Sequence, residues 1–264
     1  MVLITVVTNG VLFLPTKWVA ILLGIPMLVG ILEWSVLAGW HQIQFKIIMV
    51  SICILIALVW YSMLPNKYEY MLMIVAIPST WWLIISWHLA RIQNIVIRYD
   101  SSLLLAAIGL FILLTTWSSL VWLHSQFNGP VLLLYLLILI WIVDSSAYFV
   151  GHYWGRIKFA PLLSPNKTLE GVYGGLLGAM MWGLLLAIFF GTTIWNRIGL
   201  LILCLLTAIA SIVGDLYESL LKRERNLKDS GDLLPGHGGV LDRIDSLTAA
   251  VPIFVLGLVL LGVI

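Results

Sequence analysis

The sequence predicts an all-α, polytopic integral membrane helix bundle of about nine transmembrane helices. Three observations lead there. Hydrophobic residues make up 62% of the 264-residue chain and charged residues 10%, with thirteen Trp. The mean hydropathy is +1.09, which leaves too few polar residues to clothe a water-soluble domain. Apolar runs of about 20 residues, the length of a helical bilayer crossing, recur between short polar intervals. A formal charge of +2, with no long basic run outside one loop, argues against nucleic acid as a partner.

The runs fall at 2–15, 18–39, 47–64, 70–89, 102–123, 131–150, 171–191, 197–219 and 247–264. The first is short for a span and contains Asn9 and Gly10. No basic region or small-residue cleavage site marks a signal peptide at the N-terminus. Cys53 and Cys204 lie inside apolar runs without a Cys–His cluster and are expected as packing residues. Trp18, Trp34, Trp40, Trp60, Trp81, Trp82, Trp122, Trp141, Trp154 and Trp195 fall near run ends, as an interfacial aromatic belt would place them. His41, His88 and His124 are read as interfacial, while His152 is open. Ser164, Pro165 and Asn166 are natural helix-start residues. They would place Lys167 and Thr168 in the first turn of the seventh helix, where free amides and the helix dipole favour an anion. Gly171 with Gly175, and Gly174 with Gly178, form small-residue faces for close helix packing.

Loop charge orients the bundle. Connections after the second, fourth, sixth and eighth runs hold eleven of the fourteen Lys and Arg; Lys17, Lys67 and Arg197 are the others. The positive-inside rule makes those connections cytoplasmic, with the N-terminus inside and the C-terminus outside. The chain reads as one membrane domain, 1–264. Residues 1–140 supply mainly helices, and 141–264 form a catalytic portion with cytoplasmic loops at 151–170 and 220–246.

Acidic residues within spans cost about 2.5–3.5 kcal/mol each at a helix centre and so mark candidate sites. Glu33, Asp144, Asp215 and Glu218 all fall toward the predicted cytoplasmic ends. Asp144 and Asp215 are assigned to function, whereas Glu33 is balanced between a site role and an interfacial one. The strongest concentration of charge is Ser219–Asp245, SLLKRERNLKDSGDLLPGHGGVLDRID. Gly236, Gly238 and Gly239 allow backbone amides to approach an anion. Lys222, Arg223, Lys228 and Arg243 can hold polyphosphate oxygens. Asp242 and Asp245 would repel a phosphate unless a hard cation lay between, which points to a Mg²⁺–nucleotide site.

The order Ser219, Lys222-Arg223, Lys228-Asp229, Gly231, Leu234-Pro235, His237-Gly238-Gly239, Asp242-Arg243, Asp245 closely resembles the signature of phosphatidate cytidylyltransferases, also called CDP-diacylglycerol synthases. The resemblance extends to Gly214-Asp215 and to Asp144, Ala147-Tyr148, Gly151, Gly155, Ser164-Pro165, Lys167-Thr168 and Glu170-Gly171. It implies transfer of the cytidylyl group of CTP to phosphatidate, with release of pyrophosphate. It implies Asp215, Asp242 and Asp245 as ligands of Mg²⁺, with a second cation possible. Asp215, Asp242, Lys228, Asp229 and His237 are the expected catalytic residues. Asp144, Lys167, Thr168, Glu170, Lys222, Arg223, Gly238, Gly239 and Arg243 are the expected substrate contacts, with the Gly238 and Gly239 amides on the departing pyrophosphate. CTP, phosphatidate, the bilayer and a second copy of the chain are the expected partners, in a bacterial inner membrane. The alternatives are a CTP-dependent polyprenol or phytol kinase, attacking the γ-phosphorus, and an ion-coupled transporter. Against transport stand the absence of a clear internal repeat and the clustering of the acids at one face.

Overall fold

Helices that are apolar on every face are stable only against lipid or other helices, and their burial sorts them. The computed structural model describes residues 2–63, 68–91, 102–231 and 238–264. Among them are nine helices: α1 (Val2–Phe13), α2 (Thr16–Leu37), α3 (Ile43–Met63), α4 (Tyr68–Leu89), α5 (Ser102–Ser125), α6 (Gly129–Trp154), α7 (Leu169–Phe190), α8 (Ile194–Glu224) and α9 (Leu241–Leu260). Eight of these, α2 to α9, are long and apolar enough to cross a membrane. The 12 residues of α1 reach about 18 Å, short of the ~30 Å hydrocarbon layer. The spanning window of α5 is 72% buried and that of α3 only 17%. The core therefore forms around α5, while α3 turns Ile47, Ile48, Leu55 and Leu58 outward.

Lipid supplies no hydrophobic force between helices, so close packing and interhelical hydrogen bonds decide the arrangement. The small-residue faces of α7 behave as expected. A Cβ on Gly174 would lie 2.5 Å from Val150, and one on Gly175 would lie 3.1 Å from the Val143 carbonyl oxygen, both on α6. Trp34 Nε1 donates to Leu105 O (2.7 Å) and Trp117 Nε1 to Ala20 O (2.9 Å), joining α2 to α5. Thr116 Oγ1 donates to Thr248 O (3.2 Å), joining α5 to α9. Both cysteines are buried and free.

Several expectations need correction. Trp34, Trp82 and Trp122 are buried and do not belong to an interfacial belt, because their indoles fill helix–helix contacts; Trp18, Trp154 and Trp195 are exposed. His124 is also buried, with Nδ1 3.0 Å from Thr16 Oγ1 and Nε2 2.9 Å from Val11 O, and it pins α1 and α2 to α5. The seventh helix begins at Leu169, not at Ser164. Residues Ser164–Thr168 form strand β2, antiparallel to β1 (Lys158–Ala160), with Lys158 opposite Thr168. That pairing satisfies backbone groups that an earlier helix start would have left to water. Lys167 thus lies on a strand, and Thr168 is the N-cap, accepting from Gly171 N at 3.2 Å. The loops are shorter than expected. The helix α6 runs to Trp154, leaving 155–168; α8 runs to Glu224 and α9 starts at Leu241, leaving 225–240. Basic Lys222 and Arg223 close α8 and acidic Asp242 opens α9, each at the helix end its charge favours.

The ends of α2, α4, α6 and α8 and the starts of α7 and α9 gather at one end of the bundle. Leu163 of the hairpin packs with Leu216, Leu220 and Leu89, while Glu33 meets the start of α9.

A Cβ on Gly109 would lie 2.2 Å from the Trp34 indole. Gly109→Val is expected to destabilise the protein by about 1–3 kcal/mol through overpacking, read as a lowered thermal unfolding midpoint in detergent.

Candidate active site

The site begins with a close approach of two helices. A Cβ on Gly214 would fall 2.5 Å from the carbonyl oxygen of Asp245, so glycine is what admits α9 this near to α8. Asp215 is thereby brought beside Asp245, whose buried carboxyl faces those of Asp215 and Glu218. Residues 215, 218, 219 and 222 share one face of α8 at three- and four-residue spacing. Asp215 receives Ser219 Oγ at 3.3 Å and the Lys167 ammonium at 2.5 Å. Asp144 of α6 adds a further charge beside both Lys167 and Asp215. Lys222, at the other end of the row, donates to Glu218 Oε2 (2.9 Å) and to Asp242 Oδ1 (2.5 Å). Asp242 Oδ2 accepts from Ser230 N (3.0 Å), Ser230 Oγ (3.0 Å) and Gly239 N (2.8 Å).

Five carboxylates therefore face two ammonium groups. The excess negative charge, partly withdrawn from water, favours capture of a cation. Glu218 Oε1 is buried and has no hydrogen-bond partner among the described residues. An orphaned oxygen beside Asp215 and Asp245 suits a hard divalent ion such as Mg²⁺ in donor chemistry. As the side chains stand, no three His, Cys, Asp or Glu among the described residues converge into a closed metal cage. The lysines hold the carboxylates that a cation would engage.

Beside this row lies a cleft of about 570 Å³, lined by Asp144, Tyr148, His152, Lys158, Lys167 and Asp215. An apolar groove of about 630 Å³ adjoins it, with Leu89, Phe159, Leu162, Leu163, Ile209 and Leu216 in its walls. Val172 and Ile212 belong to both.

The profile of the Cytidylyltransferase family matches residues 1–261. The chain belongs to this family. A phosphatidate cytidylyltransferase from Haemophilus influenzae is 36% identical over 276 residues, covering 96% of this chain and 94% of the relative. One from Pseudomonas aeruginosa is 37% identical over 254 residues, covering 96% and 92%. One from Brucella abortus is 47% identical over 122 residues, covering 46% and 44%.

Within this cytidylyltransferase, the residues singled out from sequence separate into groups. Asp144, Lys167, Asp215 and Asp245 come together at the cleft and the carboxylate row. Asp242 joins the row through Lys222, because its other oxygen is taken up by Ser230 and Gly239. Asp242 is thus not brought to a common point with Asp215 and Asp245. Lys222, expected as a substrate contact, is buried between two carboxylates. Arg223 donates to the carbonyl oxygens of Leu163 (3.3 Å) and Leu227 (3.4 Å), holding the hairpin to the loop after α8. Glu170 accepts from the amides of Arg156 (3.0 Å) and Ile157 (3.2 Å), and so closes the loop after α6. The oxygen of Thr168 is engaged as a helix cap. The Gly239 amide, expected on pyrophosphate, points instead at Asp242. Gly238 has φ +79°, a backbone conformation that glycine adopts without strain, and sits against Asp242 and Asp229. Lys228, Asp229 and Arg243 are exposed. His237 lies outside the described residues.

Lys222 and Lys228 differ in what their loss should do. Lys222→Ala leaves Glu218 and Asp242 without their cation, and is expected to cost about 3–5 kcal/mol of stability. Lys228→Ala should leave the unfolding midpoint unchanged and lower turnover. Thermal unfolding and activity assays on the same detergent preparations distinguish the two.

Proposed function

We propose that the chain catalyses transfer of the cytidylyl group of CTP to phosphatidate, giving CDP-diacylglycerol and pyrophosphate. The observation that carries this reading is the Lys167–Asp215 pair. It lies in a charged cleft that shares a wall with an apolar groove, as a substrate with an anionic head and acyl tails requires. The names of the full-length relatives point to the same reaction.

An oxygen of the lipid phosphate attacks the α-phosphorus of CTP. The new P–O bond forms as the bond to the bridging oxygen of the β-phosphate breaks, and pyrophosphate leaves with that electron pair. A phosphate monoester has its second pKa near 6, so the attacking oxygen is anionic at neutral pH and needs no general base. The obstacle is the meeting of two polyanions in line. Lys167 and Lys158 offer positive charge inside the cleft, and the exposed Lys228 and Arg243 carry further positive charge in the segments flanking the start of α9. Glu170, Thr168 and Arg223 fix the hairpin that carries Lys158 and Lys167. Asp215 and Asp245, with Glu218, would hold Mg²⁺, and the ion would neutralise phosphate charge. Asp144 is the carboxylate left for a second cation.

The chain is a multi-span membrane protein with bacterial relatives. The loop charges support a site facing the cytoplasm, where CTP is available. That orientation of α2 to α9 is independent of whether α1 crosses. The assembly is proposed to be a homodimer, a mass that native mass spectrometry in detergent would register.

Purified protein given phosphatidate, Mg²⁺ and CTP is expected to release pyrophosphate and CDP-lipid together, and to stop when the metal is chelated. Nucleoside diphosphate without CDP-lipid would overturn the reading in favour of a kinase. Asp215→Asn should lower turnover by more than about 100-fold, beyond the loss caused by outer partners of a metal site. Lys167→Ala should raise the KM for phosphatidate more than that for CTP; an equal effect on both would remove Lys167 from the lipid-phosphate side of the cleft.

A further inference from the structure

We infer that Glu33, on α2, is a positioning residue for this site. Its carboxylate sets the start of α9 and, through Ser230, the orientation of Asp242. The inference rests on the reaction proposed above.

Glu33 is 7% exposed and far in sequence from the other acids. Among the described residues no cationic side chain pairs with it. Burying a carboxylate without a cation is costly unless hydrogen bonds replace water. Here Oε1 accepts from Val240 N at 2.9 Å, while Oε2 accepts from Leu241 N at 2.7 Å and from Ser230 Oγ at 3.0 Å. The two amides open α9, where the helix dipole favours an anion. Val240, at the N-cap position, provides no side-chain cap of its own. Glu33 thus performs for α9, from another helix, the task that Ser, Thr, Asp or Asn performs locally elsewhere.

The loop is shaped around this carboxylate. A Cβ on Gly231 would lie 2.7 Å from Glu33 Oε1, and one on Gly239 would lie 2.5 Å from Oε2. Both glycines therefore admit Glu33 rather than leave space for a ligand. Ser230 Oγ is 3.0 Å from Glu33 Oε2 and 3.0 Å from Asp242 Oδ2. It has one hydrogen for two carboxylates. A change at Glu33 redirects that hydrogen and alters the set of donors holding Asp242, and it shifts the first turn of the helix that carries Asp242 and Asp245. Through this side chain α2 reaches the chemistry.

The test compares wild type, Glu33→Gln, Glu33→Asp, Ser230→Ala and the Gln–Ala double variant as full-length, detergent-purified proteins. The Gln amide can accept from one backbone N–H but turns a donor toward the other. Glu33→Gln is expected to lower kcat by about 10-fold or more. Both KM values should stay within about two-fold, with an unfolding midpoint close to wild type. Glu33→Asp, which keeps the charge, should recover part of the loss. Ser230→Ala should lower kcat in the same direction, and the double variant should be no worse than Glu33→Gln alone, because the two act in one linkage. A lower midpoint with normal kcat per folded molecule would assign Glu33 to stability only and overturn the inference. Unchanged kcat, or effects that multiply in the double variant, would do the same. Should Glu33→Gln fail to fold, Ser230→Ala decides by itself: reduced kcat at constant KM supports the inference and normal kcat overturns it. A wild-type protein that makes no CDP-lipid removes the proposed reaction and this inference together. An active wild type with unaffected variants removes the inference alone.

Discussion

Negative charge held at the edge of a membrane must be balanced, and that constraint shapes this protein. Asp144, Asp215, Glu218, Asp242 and Asp245 approach one another at one end of the bundle, and among the described residues Lys167 and Lys222 pair with them directly. The remaining balance comes from backbone amides and hydroxyls, at a cost in conformational freedom. Ser230 and Gly239 turn their amides to Asp242, and the start of α9 turns its amides to Glu33. Without those donors the carboxylates would repel one another apart. With them, the row holds together.

Helix packing supplies the other half of the arrangement. Gly214 admits the α9 backbone, and the glycines of α7 admit α6, so acids borne by three helices meet across short distances. Longer residues at those positions would separate the helices and with them the charges. The same economy governs the hairpin: Glu170 and Arg223 hold backbone groups in place, and the strand they fix carries Lys167 to Asp215.

Much of this was legible in the sequence. Apolar runs of span length give the helices to within about six residues, and the acids rare in such runs single out Asp144 and Asp215, which the fold brings together in the cleft. Glu218 had a readable signal too, three residues after Asp215 and four before Lys222. What could not be read was which polar group would be consumed internally. Lys222, Arg223, Thr168 and Gly239 have the right chemistry for phosphate, but Asp242, Leu163 and Gly171 take up their polar groups, and only the folded chain shows them engaged. The strand at Ser164–Thr168 was hidden for a similar reason, since its helix-start residues are overruled by pairing with Lys158–Ala160. Trp34 and Trp82 lie near run ends yet are buried, because proximity to a helix end does not say which way an indole points.

The wall that Val172 and Ile212 share between cleft and groove has a kinetic consequence. On the proposed reading one reactant arrives by diffusion in three dimensions and the other by diffusion within the bilayer plane. The rate then responds to the number of nucleotide molecules per litre but to the number of lipid molecules per unit of surface. Adding inert amphiphile would slow the enzyme by surface dilution while every bulk concentration of reactant stayed the same.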